Sequence, residues 1–177
     1  IKADGQVSPA EKEFVKRYFI QTYGQQRANA IFRTFNDAVD KKDLSLENLC
    51  QKINQRAPYE LKLQLLHFLF NIAKADGHVS APEVSKLEEI ARLLRLGSPD
   101  FNSIKAMFIE ATDGAYTILE VEKTATDAAV KKAYRDMAKK YHPDRVITED
   151  AAIKSGAEEK FKQVQKAYEA IQKERGM

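Results

Sequence analysis

The chain has 177 residues, of which 44% are hydrophobic and 31% charged, and its formal net charge is only +3. This is the composition of a soluble globular protein, and it excludes a disordered chain and a protein with general affinity for polyanions. The length allows one large domain or two small ones. The single cysteine, Cys50, can form neither an internal disulfide nor a cysteine-rich metal site, and we interpret it as a small buried apolar residue.

A repeat of ten residues organises the first part of the chain. Residues 2–11 and 74–83 carry the same residue at seven of ten positions. Each copy has an Asp-Gly turn signal, then a serine suited to cap a helix, then a glutamate three residues later that completes a capping box. Ser8 and Ser80 are the predicted caps. Each copy therefore predicts a helix end, a tight loop and a helix start.

Apolar periodicity and helix breakers predict helices throughout this part of the chain, and no stretch alternates as a strand would. The predicted helices lie near residues 8–22, 25–38, 45–55, 58–74, 80–96 and 99–110. Gly24 and Gly97 are predicted to end helices. We therefore expect residues 1–111 to form an all-helical domain.

A second unit is predicted over residues 113–177, opened by the turn signal at Asp113-Gly114. It should contain a short helix at 115–119, a helix at 128–141 capped by Thr126 or Asp127, a polar loop at 145–156 and a last helix at 157–173. The two long helices should pack as a hairpin on the apolar faces Val130, Ala133, Tyr134, Met137, Tyr141 and Phe161, Val164, Tyr168, Ile171, closed by Tyr116 and Leu119. The fold class is therefore all-α: a helical bundle followed by a small helical hairpin.

The tripeptide His142-Pro143-Asp144 directly follows the 128–141 helix. Proline fixes its own φ and disfavours helical geometry in the residue before it, so the helix must stop there. Opposite the apolar stripe the same helix carries a basic face, formed by Lys131, Lys132, Arg135 and Lys139, with Lys140 at its edge. A rigid corner beside cations predicts a docking surface for an acidic partner.

Catalysis is the alternative interpretation of this corner. Two residues that flank a proline rarely converge on one reacting atom, and no partner ligands lie nearby in sequence. We expect no catalytic residue and no cofactor, hence no enzyme. Nucleic-acid binding is not expected either, because Tyr134 and Tyr141 lie on the inward stripe and not among the cations.

Four ordered segments of the second unit resemble a J domain, the DnaJ module: Tyr116 to Val121, Val130 to Arg135, Tyr141 to Arg145 and Lys160 to Ile171. The resemblance covers about 113–177. It implies a protein that stimulates ATP hydrolysis by a DnaK-type chaperone, with His142, Pro143 and Asp144 essential and with the docking face supplied by Lys131, Lys132, Arg135, Lys139 and Lys140. Glu120 departs from the pattern, since the family commonly has glycine there, and a left-handed turn would be costlier for glutamate.

The repeated loops resemble the TerB-like domain of tellurite-resistance proteins, and a TerB-like domain followed by a J domain is similar to the DjlA type of DnaJ-like co-chaperone. That resemblance implies a role of the first domain in localisation, client choice or self-association as a homodimer. It also implies an N-terminal transmembrane segment. The chain opens at Ile1, and the first loop lacks the helix that precedes the second. We therefore expect a preceding segment and either a cytoplasmic protein or one anchored in the inner membrane with both domains facing the cytoplasm.

Metal binding by the repeated loops is the remaining alternative, as part of a metal- or stress-linked binding module whose J domain is degenerate. The candidate ligands are Asp4, Glu11, Asp76 and Glu83. The loops lack the spaced oxygen ligands of an EF-hand, and capping already explains both glutamates. His67 is interpreted as a core residue and His78 as a loop residue that is not required as a ligand.

Overall fold

The computed structural model describes residues 9–40, 45–109, 113–145 and 151–177. The described residues are helical and contain no strand, so the predicted all-α class is confirmed. Their α-helices are α1 (Pro9–Tyr23), α2 (Gln25–Asp40), α3 (Leu46–Arg56), α4 (Tyr59–Ala73), α5 (Ala81–Leu93), α6 (Ser98–Ala106), α7 (Gly114–Ile118), α8 (Asp127–Lys140) and α9 (Ala151–Arg175). None of these helices is long and apolar enough to cross a membrane.

The second copy of the repeat forms the predicted loop and cap. Residues Lys74–Asp76 make one 3-10 turn that ends at Gly77, whose φ is 109°. Ser80 and Glu83 then form the capping box at the start of α5, since the Glu83 carboxylate accepts hydrogen bonds from the Ser80 backbone N–H at 2.8 Å and from its hydroxyl at 2.6 Å. Ser8 and Asp4 of the first copy lie outside the described residues.

Of the two glycines predicted to end helices, one does so and one does not. Gly24, which follows α1, has the left-handed φ of 77° expected of a helix stop. Gly97, which follows α5, has a φ of −72° and caps the start of α6. Arg95 takes the left-handed position after α5, with a φ of 59°, and the Leu96 N–H returns to the Ala91 carbonyl. The prediction for Gly97 was therefore wrong, because the six-to-one hydrogen bond closes the helix two residues earlier.

Helices α8 and α9 form the predicted antiparallel hairpin. Val130, Met137, Val164 and Ile171 are buried between them. Tyr134 stacks on Tyr168, with ring centroids 4.2 Å apart. The inward face predicted for α8 is confirmed, and that of α9 is confirmed at Val164, Tyr168 and Ile171, whereas Phe161 is only partly buried and contacts His142 instead. The predicted loop at 145–156 is partly wrong, because α9 already begins at Ala151. Gly156 lies inside this helix, at a cost of roughly 1 kcal/mol relative to alanine.

The C-terminal end of α9 closes the hairpin on the loop before α8. The Arg175 guanidinium donates to the carbonyls of Lys123 and Ala125, at 2.6 Å each, and to the Tyr116 hydroxyl at 3.0 Å. It also forms an ion pair with Asp127 at 3.0 Å. One side chain thus ties α7, α8 and α9 together, because the guanidinium offers five donors in a fixed plane.

The helices before and after residue 110 share one hydrophobic core. It contains Phe70 of α4 and Ile104 of α6 together with Leu119, Tyr141 and Val164 from the C-terminal part. Helix α9 packs against α4, and α7 packs against α6. The hairpin is therefore held on the N-terminal helices by a continuous apolar contact, which could not be predicted from local sequence patterns.

Polar contacts border this core. The Ser103 hydroxyl donates to the Ile118 carbonyl at 2.8 Å, in a fully buried bond between α6 and α7. Asp100 of α6 accepts from the Tyr59 hydroxyl and forms an ion pair with Lys140 at the end of α8. Because Asp100 is buried and paired on both sides, it fixes the end of α8 against the N-terminal helices.

His67 lies in the core, as predicted, with its ring centroid 4.9 Å from that of Phe108. Burial, together with the nearby charge of Lys160, lowers the pKa of His67 from 6.5 to about 3. The folded protein therefore keeps this imidazole neutral at pH values where the unfolded chain protonates it.

We predict from this that the free energy of unfolding falls as the pH drops below about 6.5. The unfolded chain binds a proton at His67 in that range and the native protein does not, so the loss amounts to about 2 kcal/mol at pH 5. Urea unfolding at pH 7 and pH 5 measures it. His67→Gln should show a smaller difference between the two pH values, whereas His78→Gln, at a side chain that is 77% exposed, should match wild type. Equal pH dependence in all three proteins would contradict the prediction.

A second prediction concerns Asp100. Asp100→Ala should lower the free energy of unfolding by about 1–3 kcal/mol, because Tyr59 and the half-buried Lys140 lose their shared acceptor. A double-mutant cycle of Asp100→Ala with Lys140→Ala isolates the pair, and we expect a coupling energy above about 0.5 kcal/mol. The surface pair of Lys86 and Glu89 serves as the matched control, since exposed pairs contribute little. Additive effects of the two substitutions would show that the pair does not couple α6 to α8.

Candidate functional site

The His142-Pro143-Asp144 corner forms where the sequence predicts it. Helix α8 ends at Lys140, and Tyr141 leaves helical geometry with a φ of −104°. Residues Pro143–Arg145 then make a single 3-10 turn. Because proline cannot continue the helix, the chain turns at this point and presents the tripeptide at the end of α8.

The polar groups of the corner are held at the surface. The Asp144 backbone N–H donates to Nδ1 of His142 at 3.2 Å, and the His142 ring stands edge-on against Phe161, with centroids 5.6 Å apart. The Asp144 carboxylate is 3.7 Å from the same Nδ1. The Asp144 side chain is 90% exposed. Its carboxylate is thus available to a partner molecule.

Tyr141, the residue directly before the corner, is buried. Its side chain is only 1% exposed. The Lys160 side chain on α9 is completely buried, and its Nζ lies 4.8 Å from the centre of the Tyr141 ring. Burial holds the pKa of Lys160 well below its usual range and raises that of Tyr141. The residue before His142 is therefore locked against α9.

The burial of Lys160 was not predicted. The sequence does contain a signal for it, because Lys160, Val164, Ala167 and Ile171 recur at helical spacing and all four are buried. The predicted apolar face used Phe161 and Tyr168 in place of the lysine, and both of these are only partly buried. A lysine is rarely placed in a core on sequence grounds, because burying its charge is costly.

The basic face contains four exposed cations in the order that the sequence predicts. The exposed members are Lys131, Lys132, Arg135 and Lys139. The Arg135 guanidinium bonds to the Lys131 carbonyl at 3.3 Å, one turn earlier on α8. The four side chains and the exposed corner lie on one helix and the turn that ends it, so they form a continuous polar surface.

Lys140 differs from the other four cations. Its side chain is 27% exposed, and its ammonium group pairs with Asp100 and, at 2.9 Å, with Glu120. Burial acts to lower the pKa of Lys140, but the bonds to the two carboxylates outweigh it and raise the pKa. The structure therefore does not bring Lys140 to the free basic face on which the sequence analysis placed it, because two acidic groups from elsewhere in the chain engage it.

Glu120 adopts the left-handed conformation anticipated at this departure from the J-domain pattern. Its φ is 56°. A left-handed residue with a Cβ costs roughly 1–2 kcal/mol. The Glu120 carboxylate also pairs with the Lys140 ammonium group, and this ion pair offsets part of that cost. The glutamate thus links the turn after α7 to the end of α8.

The three candidate metal ligands that the structure describes, Glu11, Asp76 and Glu83, do not form a group that could hold a metal ion. Asp76 accepts the His78 backbone N–H at 3.3 Å, and Glu83 is engaged in the capping box, whereas Glu11 is buried on α1. Across the part of the chain that the structure describes, no group of three or more histidine, cysteine, aspartate or glutamate side chains could hold a metal ion. Cys50 is buried and has a free thiol, as the sequence predicts.

Two protein-family models match the chain, one over its first part and one over its second. Residues 1–106 match the family "Tellurite resistance protein TerB", and residues 114–176 match the "DnaJ domain". The chain is 26% identical to the co-chaperone protein DjlA of Coxiella burnetii, an alignment that covers 99% of this chain and 73% of that protein. No solved structure matches the chain.

The DnaJ-domain part also resembles full-length chaperones. It is 61% identical over 56 residues to the chaperone protein DnaJ of Erysipelothrix rhusiopathiae and 57% identical over 56 residues to that of Neisseria meningitidis. In each case the match covers 32% of this chain and 14% of the chaperone, so the chain spans a small part of the length of these relatives. The chain belongs to the TerB family and carries a C-terminal DnaJ domain, which is the domain architecture of DjlA-type proteins.

Proposed function

We propose that the protein is a co-chaperone whose J domain docks on a DnaK-type chaperone and stimulates hydrolysis of the ATP bound there. The observation that carries the proposal is the exposed Asp144 carboxylate, held beside His142 at the end of a helix with four exposed cations. The likeness to a DjlA co-chaperone over nearly the whole chain supports it.

In this proposal the corner acts by binding the chaperone and not by acid–base chemistry. The Asp144 carboxylate would pair with a cation of the partner, such as an arginine side chain, and the cations of α8 would steer the encounter with an acidic surface. ATP and the reacting groups belong to the partner. By binding one conformation of the chaperone better than another, the J domain shifts its partner toward the hydrolysing state. In this proposal the protein itself is not an enzyme.

The TerB domain would supply localisation, client choice or self-association. It positions the J domain through the buried Asp100 and the shared core, so the docking surface is carried on a fixed support. Lys140 takes part in that support. Its substitution should therefore act on stability first and on chaperone docking second.

The first test is an ATPase assay with a DnaK-type chaperone. His142→Gln and Asp144→Asn should each lower the stimulation of single-turnover hydrolysis at least tenfold, which corresponds to the loss of about one charge-assisted hydrogen bond. Both side chains are at the surface, so circular dichroism should show an unchanged fold. His78→Gln, in the loop before α5, is the matched control and should stimulate like wild type. Full stimulation by both corner variants would refute the proposal.

A second test addresses steering by the basic face. Lys131→Glu combined with Arg135→Glu should reduce the association rate with the chaperone about tenfold or more at low salt, and the difference from wild type should shrink as salt screens the charges. Lys12→Glu, which reverses an exposed charge on α1, should leave the rate near that of wild type. Stopped-flow fluorescence measures these rates. A rate that does not depend on salt or on the α8 charges would show that the basic face does not steer docking.

A further inference from the structure

A cavity of about 540 Å³ lies where the two domains meet. Its lining comes from both of them: Phe19 of α1, Ile53 of α3 and Phe68 of α4 on the TerB side, and Gly156 of α9 on the J-domain side. The volume falls within the range of sites that bind drug-sized ligands. Neither His142 and Asp144 nor the cations of α8 line it, so this cavity is not part of the docking corner.

Aromatic and aliphatic side chains make the walls of the cavity apolar. Tyr18 and Phe68 have ring centroids 4.7 Å apart, and Phe19 and Phe68 are 6.3 Å apart, so the rings support each other across α1 and α4. Leu61 and Leu65 continue the apolar wall along α4. A ligand that fills this space must present apolar groups, because walls of this kind gain free energy only by excluding water.

Two cations lie at the rim. Lys52 and Arg56 are four residues apart on α3, so their side chains lie on the same face of the helix, and both are exposed and line the cavity. Glu159 lines the α9 side, where the Asn71 side-chain amide donates to it at 3.4 Å. The charge arrangement therefore favours an anionic group next to α3 and disfavours one next to α9.

A buried acceptor completes the site. Gln64 lines the cavity, its side chain is 6% exposed, and its Oε1 has no hydrogen-bond partner among the described residues. A Cβ on Gly156 would lie 3.3 Å from this oxygen, so the absence of a side chain at position 156 leaves space beside it. A buried polar atom without a partner is costly, and a ligand that donates a hydrogen bond there would gain the corresponding free energy.

We propose that this cavity binds a short peptide segment that carries bulky apolar side chains next to an acidic side chain. A peptide meets all three requirements: apolar groups for the walls, a carboxylate for Lys52 and Arg56, and a backbone N–H for Gln64. An ionised fatty acid meets only the first two, because it has no hydrogen-bond donor. The interpretation of this segment as part of an unfolded client rests on the proposed co-chaperone function. The binding site itself does not.

The probe is the fluorescein-labelled hexapeptide Gly-Asp-Leu-Phe-Leu-Gly, titrated with the intact 177-residue chain and followed by fluorescence anisotropy. We expect saturable binding. A second probe with Lys in place of Asp, and a third with Ser in place of the Leu and Phe residues, should each bind at least tenfold more weakly. No saturable binding of the first probe, or equal binding of all three, would overturn the proposal.

Variants locate the binding on the protein. Lys52→Glu combined with Arg56→Glu should weaken binding of the first probe at least tenfold, with Lys12→Glu as the control for charge reversal away from the cavity. Leu65→Trp should weaken it by filling the cavity, and Gln64→Leu by removing the acceptor. Thermal melting followed by circular dichroism checks that each variant is folded. Should one core variant unfold, the surface charge variants still decide the outcome, and unchanged affinity in them would overturn the assignment.

Two further measurements separate the alternatives. Laurate is titrated as a competitor, and saturable laurate binding in the absence of peptide binding would assign the cavity to anionic lipids and overturn the proposal. His142→Gln should bind the peptide like wild type while it loses ATPase stimulation. If instead the wild-type protein binds peptide but does not stimulate the chaperone, the co-chaperone function fails and the peptide site stands.

Discussion

The burial of Tyr141 is the constraint on which the candidate site depends. The proline at 143 stops α8, but a stopped helix alone would leave the next residues free to take many orientations. Tyr141 removes that freedom, because its ring is buried and faces Lys160 on α9. Phe161, the neighbour of Lys160, supports the His142 ring from the side. The exposed corner is thus positioned by a buried ring directly before it, and its polar groups need no contacts of their own to the core.

The same region joins the two domains. Asp100 lies at the centre of the contact, between the Tyr59 hydroxyl and the Lys140 ammonium group, and Glu120 engages that ammonium from the J-domain side. Charges that are removed from water cost free energy unless they are paired, so separating the domains would leave Asp100 and Lys140 without each other. The exposed corner and the basic face are consequently tied to the TerB domain by Lys140, which the sequence analysis placed on the basic face. The surroundings of Lys140, and not its position on α8, decide that its ammonium group is engaged within the chain.

Much of the architecture could be predicted from local sequence. The capping box at Ser80, the cap at Thr126 and the stop at Gly24 are set by interactions within a few residues, and the structure contains all three. The apolar faces of α8 and α9 follow from helical spacing for the same reason. Predictions failed where two local signals compete. Glycine often ends a helix, but Gly97 caps the start of the following one. Glycine is also common in loops, but Gly156 lies within α9. Surrounding residues with good helix propensity, such as Ala151 and Ala152, carry α9 through that region.

The sequence by itself determined the all-helical class, the order of the two parts and the tripeptide corner with its cationic helix, because each depends on neighbours along the chain. Only the tertiary structure decided which of those cations are free. Lys140 is withdrawn by Asp100, forty residues earlier, and Lys160 is buried against Tyr141, so neither environment is encoded by adjacent residues. The cavity between α1, α3, α4 and α9 could not be predicted from local sequence either, since its walls come from four separate segments. Charge and apolar contacts between distant parts of a chain depend on how its helices pack, and local sequence patterns contain no distances between helices.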